Sequence, residues 1–134
     1  MINNHLTREQ SNELYTGVLQ DRDVAAMRRL CREDLFFLLT IGIMRKDINK
    51  DWLYSRIREV EANPNSHLDL WAREHYKSTI ITFGLTIQDI LASHGDDPLP
   101  KYDGQEVTFG LFSHTRPIAK AFLTQIKDEL ERND

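Results

Sequence analysis

A lysine followed by two hydroxyl residues, Lys77-Ser78-Thr79, is the part of this 134-residue sequence with the clearest chemical potential. It closes the segment WAREHYKST, which begins at Trp71. A lysine there can reach the β- and γ-phosphates of a nucleotide, and a serine hydroxyl can be a ligand of Mg²⁺. Phosphate binding also needs the N–H groups and the positive dipole end of a helix N-terminus. The residue types therefore predict a site for ATP and Mg²⁺ if a helix begins at Lys77.

The sequence departs from the common phosphate-loop motif, G-x-x-x-x-G-K-S/T, at both glycines. Trp71 and Tyr76 stand in their places. A left-handed backbone at Tyr76 would cost roughly 1–2 kcal/mol. Either the loop has a different shape or it does not bind phosphate, and the spacing leaves both interpretations open. In the second, Lys77 is a solvated lysine at a helix start, which is a poor place for a cation.

The elements around this segment follow from the hydrophobic periodicity. The leucines of His67 to Trp71 (HLDLW) alternate, which predicts a short strand. Lys77 to Leu91 has the period of a buried helix, Val107 to Ser113 (VTFGLFS) predicts a second strand, and a final helix follows Pro117. Strand, helix and strand in this order predict a right-handed parallel βαβ crossover. The expected fold class is α/β.

The first part of the chain has helical periodicity. Thr7 with Gln10 three residues later predicts a capping box. Asn63-Pro64-Asn65 then interrupts the pattern. We expect a helical segment over residues 1–62, followed at residues 63–134 by the first part of a phosphate-loop (P-loop) ATPase domain. The predicted helices run from after Thr7 to about Leu19, from Asp21 or Asp23 to Leu39, and from Asn49 to Val60.

The stretch LDLWAREHYKST, continuing into IITFGLTIQDIL, resembles the degenerate Walker A strand, loop and helix of tailed-phage terminase large subunits. GLFSHTRPIAKAFLTQIKDELERN resembles the strand and helix that follow there. DLFFLLTIGIMRKD and DWLYSRIREV resemble the helical region that precedes them. The likeness extends from about Asp34 onward, and WAREHYKST is its most specific part.

The resemblance implies the ATP-binding portion of a motor that drives double-stranded DNA into a viral capsid. The implied setting is the cytoplasm of an infected bacterial host. Portal protein, the small terminase subunit and further copies of the chain are the implied partners.

The resemblance also implies a role for each position of the loop. Lys77 would contact phosphates, Ser78 would bind Mg²⁺, and Thr79 would support the loop or the α-phosphate. Arg73 would act with Lys77 in catalysis, because its permanent, forked charge can bridge the γ-phosphate in phosphoryl transfer. The remaining positions fill the loop without a fixed role. The implied nucleotide-contacting residues are Arg73, Glu74, His75, Tyr76, Lys77, Ser78 and Thr79.

An acidic partner to this loop is not visible in the sequence. Such ATPases need an apolar strand that ends in Asp-Glu, whereas VTFGLFS ends in Ser113-His114. We therefore expect the chain to be the front part of the motor and to hydrolyse ATP negligibly by itself. Two alternatives remain open. One is a truncated or remnant non-catalytic module that docks to other packaging proteins, and the other is a different, helicase-like P-loop ATPase.

Composition narrows these choices. The net charge of −4 argues against a protein that coats DNA by itself, because phosphate neutralisation needs basic residues. No apolar run approaches the roughly 20 residues of a membrane span. The single cysteine, Cys31, excludes a disulfide framework within the chain and favours a reducing compartment. The spacing of the histidines does not predict a zinc site.

Two further groups of residues have competing interpretations. Ser113 and Thr115, at the end of the second predicted strand, would either sense nucleotide or DNA or cap the last helix. Trp52, Phe36 and Phe37 would either stack on adenine or belong to the core, and their helical spacing favours the core.

Overall fold

The computed structural model describes residues 6–62, 68–72, 75–93 and 108–133. The chain divides into two compact units, Met1–Leu70 (unit 1) and Trp71–Asp134 (unit 2). In the described ranges the regular secondary structure is helical throughout, and no β-strand occurs. None of the helices in these ranges has the length and apolar character that a membrane crossing requires.

The first helices of unit 1 begin at side chains that satisfy their N-terminal N–H groups. The Thr7 hydroxyl accepts from Gln10 N–H, and the Gln10 side chain accepts from Thr7 N–H at 2.9 Å, which confirms the predicted capping box. Asp23 accepts from Ala26 N–H at 3.1 Å and so begins the second helix. The elements of unit 1 are α1 (Arg8–Asp21), α2 (Val24–Glu33), α3 (Leu35–Phe37) with a π-helical continuation (Leu38–Gly42), a 3₁₀ turn (Lys46–Ile48) and α4 (Asp51–Ala62).

The prediction of one long second helix is wrong, because the helix is interrupted at Asp34. This residue is extended, with φ −122° and ψ 103°, and it both ends α2 and begins α3. Its carboxylate accepts a hydrogen bond from Phe37 N–H at 3.1 Å. A short acidic side chain can compete with the helical hydrogen-bonding pattern in this way. The apolar spacing continues across the break and therefore did not reveal it.

The core of unit 1 lies between α1, α3 and α4. Phe36 stacks beside Tyr15 at 6.5 Å between ring centroids and meets Tyr54 edge-on at 5.0 Å. Phe37 meets Tyr15 at 5.0 Å in a T-shaped contact. On α4, Leu53, Ile57 and Val60 are buried, whereas Trp52, for which the helical spacing favoured the core, is 42% exposed. In the described part of unit 1, the apolar side chains with no exposed surface are Leu35, Leu39, Ile48, Leu53 and Ile57.

Unit 2 contains the two helices that the sequence predicts. Lys77 is the first helical residue, a π-helical segment (Ser78–Leu85) follows, and α5 (Thr86–Ser93) completes this helix. The final helix, α6 (Arg116–Arg132), has Pro117 in its first turn, where a missing N–H has no cost. It contacts both halves of the preceding helix. The buried apolar side chains of this pair are Ile80, Ile87, Ala92 and Ile126.

The predicted α/β fold with a parallel βαβ unit is wrong for the residues that the structure describes. Residues 68–72 and 108–113, where strands were expected, have no regular structure. Leu68, Leu70 and Phe112 are 82%, 83% and 97% exposed. A strand needs a neighbouring strand to bond its N–H and C=O groups, and alternating leucines do not supply one. His67 and Val107, the first residues of the two predicted strands, lie outside the described ranges.

Candidate functional site

The backbone of Tyr76 adopts the conformation that glycine favours. Its φ is +63°, one of three positive values at non-glycine residues in the described ranges; the others are at Arg22 and Met44. Its carbonyl oxygen accepts from Ile80 N–H at 2.9 Å, so the left-handed residue leads directly into the first helical turn. The phosphate-loop motif has a glycine at this position. Tyr76 therefore has the positive φ that a glycine adopts without strain, at a cost of roughly 1–2 kcal/mol for a residue with a Cβ.

The lysine and the two hydroxyl residues lie together on the first turn of this helix. Lys77 and Ser78 are exposed, and Thr79 is half-buried. First-turn N–H groups point away from the helix body, and the macrodipole gives that end a partial positive charge. Lys77 adds a full positive charge in the same place. An anion would offset both, which makes this end of unit 2 the best candidate for phosphate.

The other predicted loop residues divide into two groups. Arg73 and Glu74 lie outside the described residues, so their predicted roles have no structural description. His75 is exposed and Tyr76 is half-buried, and both directly precede the helix. The structure thus brings together the lysine, the hydroxyls and the left-handed turn.

The described residues at this helix end could hold Mg²⁺ only together with the oxygens of a bound phosphate. Mg²⁺ keeps several waters and is often held by one or two protein oxygens together with substrate phosphates. The exposed Ser78 hydroxyl can supply one such oxygen beside bound phosphate. Within the described ranges, no group of three or more His, Cys, Asp or Glu side chains is arranged to hold a metal ion.

The structure bears on the competing interpretations of the aromatic residues and of the two hydroxyl residues before α6. Phe36 and Phe37 are 2% and 1% exposed, which confirms the core interpretation and leaves adenine no access to them. Thr115 occupies the N-cap position of α6, but its side chain makes no capping hydrogen bond. Ser113 is exposed in an irregular segment rather than at the end of a strand. The proposed ligand-sensing role of these two residues therefore loses the strand on which it depended.

A second polar cluster, which the sequence did not predict, lies buried in unit 1. The guanidinium of Arg58 bonds both carboxylate oxygens of Asp34, each at 3.1 Å. It also bonds Glu61 at 2.8 Å and the Tyr15 hydroxyl at 3.1 Å. Tyr15 in turn donates to Asp34 at 2.5 Å. These four side chains, the buried cluster, connect α1, the start of α3, and α4.

Burial and mutual contact shift the pKa values in this cluster. Burial raises the pKa of the Tyr15 hydroxyl, and the charge of Asp34 adds to the effect. Burial opposes the charge of Arg58, but the hydrogen bonds and charges of Asp34 and Glu61 outweigh it and raise the Arg58 pKa. The same environment affects the cysteine of α2, because burial and then Asp34 raise the pKa of the Cys31 thiol to about 11. A thiol of this kind is a weak nucleophile at neutral pH.

One signal in the sequence could have revealed the cluster. Tyr54, Arg58 and Glu61 stand at four- and three-residue spacing, the same spacing as the apolar residues of α4. A charged pair on an apolar face needs a buried partner. The sequence does not identify that partner, because Asp34 lies 24 residues earlier.

Comparisons of the chain with protein-family models, with curated proteins and with solved structures return no match.

Proposed function

We propose that this chain is the ATP-binding portion of a DNA-packaging motor of the terminase large subunit type. In this proposal the motor couples ATP hydrolysis to the movement of double-stranded DNA into a capsid. It works in the cytoplasm of an infected bacterial host with portal protein and a small terminase subunit. The observation that carries the proposal is the left-handed Tyr76, which turns the chain into a helix that begins with Lys77 and Ser78.

Each residue of the proposed site has a separate task. Lys77 contacts the β-phosphate, which ATP and ADP share. Ser78 is a ligand of Mg²⁺, and Thr79 supports the loop or the α-phosphate. Arg73 bridges the γ-phosphate and stabilises the charge that develops during phosphoryl transfer. When bound, Mg²⁺ neutralises phosphate charge beside the nucleotide.

The proposed site differs from the common phosphate loop in two respects. Tyr76 adopts, at the cost of backbone strain, the left-handed conformation that a glycine adopts without strain. The segment before the loop, residues 68–72, is irregular rather than a strand. The proposal therefore places phosphate recognition on the turn and the helix end, and it does not require a βαβ unit.

Calorimetric titration of MgATP and MgADP into the 134-residue chain tests this proposal. Lys77→Ala should weaken both nucleotides, because losing a hydrogen bond to a charged group costs about 1.5–3 kcal/mol, or roughly one to two decades in affinity. Arg73→Ala should weaken ATP more than ADP, since its target is the γ-phosphate. Lys120→Ala, at an exposed lysine of α6, is the matched control and should leave both affinities unchanged.

Two substitutions at Tyr76 test the observation that carries the proposal. Tyr76→Gly should keep both affinities, because glycine adopts a positive φ without strain. Tyr76→Val should lose them, because a β-branched residue strongly disfavours that conformation. Absence of nucleotide binding by the wild-type chain would overturn the proposal. Equal effects of Lys77→Ala and Lys120→Ala would remove Lys77 from the site.

A second candidate is a non-catalytic module that docks to other packaging proteins. Exposed apolar side chains on irregular segments favour it, notably Phe112 at 97% and Leu70 at 83%. The same titration separates the candidates. A docking module binds neither nucleotide but associates with another packaging protein in sedimentation experiments, and Phe112→Ser weakens that association.

A further inference from the structure

The four side chains of the buried cluster in unit 1 comprise two carboxylates, one guanidinium and one phenol. Asp34 and Glu61 are both carboxylates, and the guanidinium of Arg58 contacts each of them. Their side chains are 0%, 7% and 9% exposed for Asp34, Glu61 and Arg58 respectively. A buried charge that is not balanced by an opposite charge is strongly unfavourable. Protonation of one carboxylate would remove the excess negative charge.

Hydrogen-bond donors distinguish the two carboxylates. Asp34 accepts from Phe37 N–H, from the Tyr15 hydroxyl and from both terminal nitrogens of Arg58. Glu61 accepts from Leu35 N–H at 2.6 Å and from Arg58 at 2.8 Å. Glu61 therefore has the weaker support for its charge and is the better proton acceptor.

The groups that face Glu61 act in opposite directions. Burial raises the pKa of Glu61, Arg58 on its own helix lowers it, and Asp34 at the start of α3 raises it again. The backbone N–H of Leu35 also lowers it. The net shift is upward from the ordinary value of 4.5. Around the cluster, α1 contributes Tyr15, which donates to Asp34, and α2 contributes Cys31, whose thiol pKa is raised by Asp34.

We propose that unit 1 takes up one proton at Glu61 when it folds, so that the contact between α4 and the start of α3 is a pH-sensitive latch. A carboxyl that holds its proton more tightly when folded stabilises the fold most at pH values below its unfolded pKa. That contribution is lost as the pH rises through the folded pKa. The latch is therefore strongest below about pH 4.5 and weakens as the pH rises above that value.

Urea unfolding of the whole chain at a series of pH values tests the proposal. The sequence has two tryptophans, Trp52 and Trp71, so a Trp71→Phe background leaves Trp52, on α4, as the fluorescent reporter of unit 1. We expect the unfolding equilibrium constant to rise with pH above 4.5 by up to about tenfold per pH unit while Glu61 keeps its proton in the folded chain but not in the unfolded chain. Glu61→Gln should remove this rise.

The matched control is Glu59→Gln, at an exposed residue of the same helix that pairs with Arg56. It should leave the pH dependence of wild type unchanged. A Glu61→Gln variant with the same pH dependence as wild type would overturn the proposal.

Carbon NMR of the side-chain carboxyls in the wild-type chain supplies a test that needs no folded variant. Glu61 should titrate above the ordinary value of 4.5. Titration of Glu61 at or below 4.5 would also overturn the proposal.

Discussion

Leu35, Leu39 and Leu53 in unit 1 have no exposed surface, whereas Phe112 in unit 2 keeps 97% of its surface exposed. Leu123 and Ile118 on α6 are also exposed, at 58% and 39%. Both units form helices, because a helix bonds its own backbone groups. Burial of apolar side chains needs neighbouring elements. In unit 1 those neighbours are α1, α3 and α4, whereas the described part of unit 2 offers two packed helices and irregular segments.

The two units also differ in how side chains cap the first residues of their helices. Thr7 and Thr115 are both threonines at N-cap positions with extended backbones. Thr7 makes a reciprocal capping box with Gln10, whereas the Thr115 side chain makes no capping hydrogen bond. The first helix of unit 1 is therefore capped by a side chain, whereas the last helix of unit 2 is not.

Truncation of a phenylalanine in each unit tests the core comparison and has the largest expected effect. Phe37→Ala should destabilise the chain by about 3–5 kcal/mol, because it leaves a cavity against Tyr15. Phe112→Ala should change stability by less than about 0.5 kcal/mol, as exposed substitutions usually do. Urea unfolding followed by circular dichroism measures both. A cost at Phe112 as large as that at Phe37 would mean that Phe112 is packed in solution.

The two threonine caps supply a smaller, matched test. Thr7→Ala should cost about 1 kcal/mol, because it removes an oxygen that satisfies an N-terminal N–H. Thr115→Ala should cost a few tenths of a kcal/mol at most, since no capping hydrogen bond is lost. The same urea titrations report both values. Equal losses would contradict the difference between the two helix starts.

The smallest expected effect comes from a surface pair in unit 1. Arg45 bonds both oxygens of Asp47, at 2.9 and 2.8 Å, through Nε and one terminal nitrogen, whereas Arg58 bonds Asp34 through both terminal nitrogens. These bonds lower the pKa of Asp47 below 3.8, although partial burial opposes them. The stabilisation is therefore present above pH 3.8 and is lost as the pH falls through the lowered pKa.

The exposure of the Arg45–Asp47 pair limits its contribution to below about 1 kcal/mol. Asp47→Asn should accordingly cost less than this at pH 7 and less again at pH 2, in urea unfolding at the two pH values. A cost above 2 kcal/mol would mean that the exposed Arg45–Asp47 pair stabilises unit 1 as much as a buried ion pair does. That result would contradict the view that unit 1 depends on its interior.

The sequence by itself determined the features that depend on near neighbours along the chain. Thr7, three residues before Gln10, fixed the first helix start, and Pro117 fixed the start of α6. The three- and four-residue apolar spacing identified α4 and the helix after Lys77, because a helix repeats its faces at that period. The glycine position occupied by Tyr76 identified where a left-handed residue would be needed.

Only the tertiary structure decided the features that depend on distant partners. The alternating leucines before Trp71 resembled a strand, but no described segment pairs with them, and a strand without a partner leaves its backbone groups unbonded. The break at Asp34 and the burial of Arg58 depend on each other across 24 residues of chain. Local periodicity contains no information about such a pair. The buried cluster, which sets the charge inside unit 1, therefore appeared only when the helices were packed.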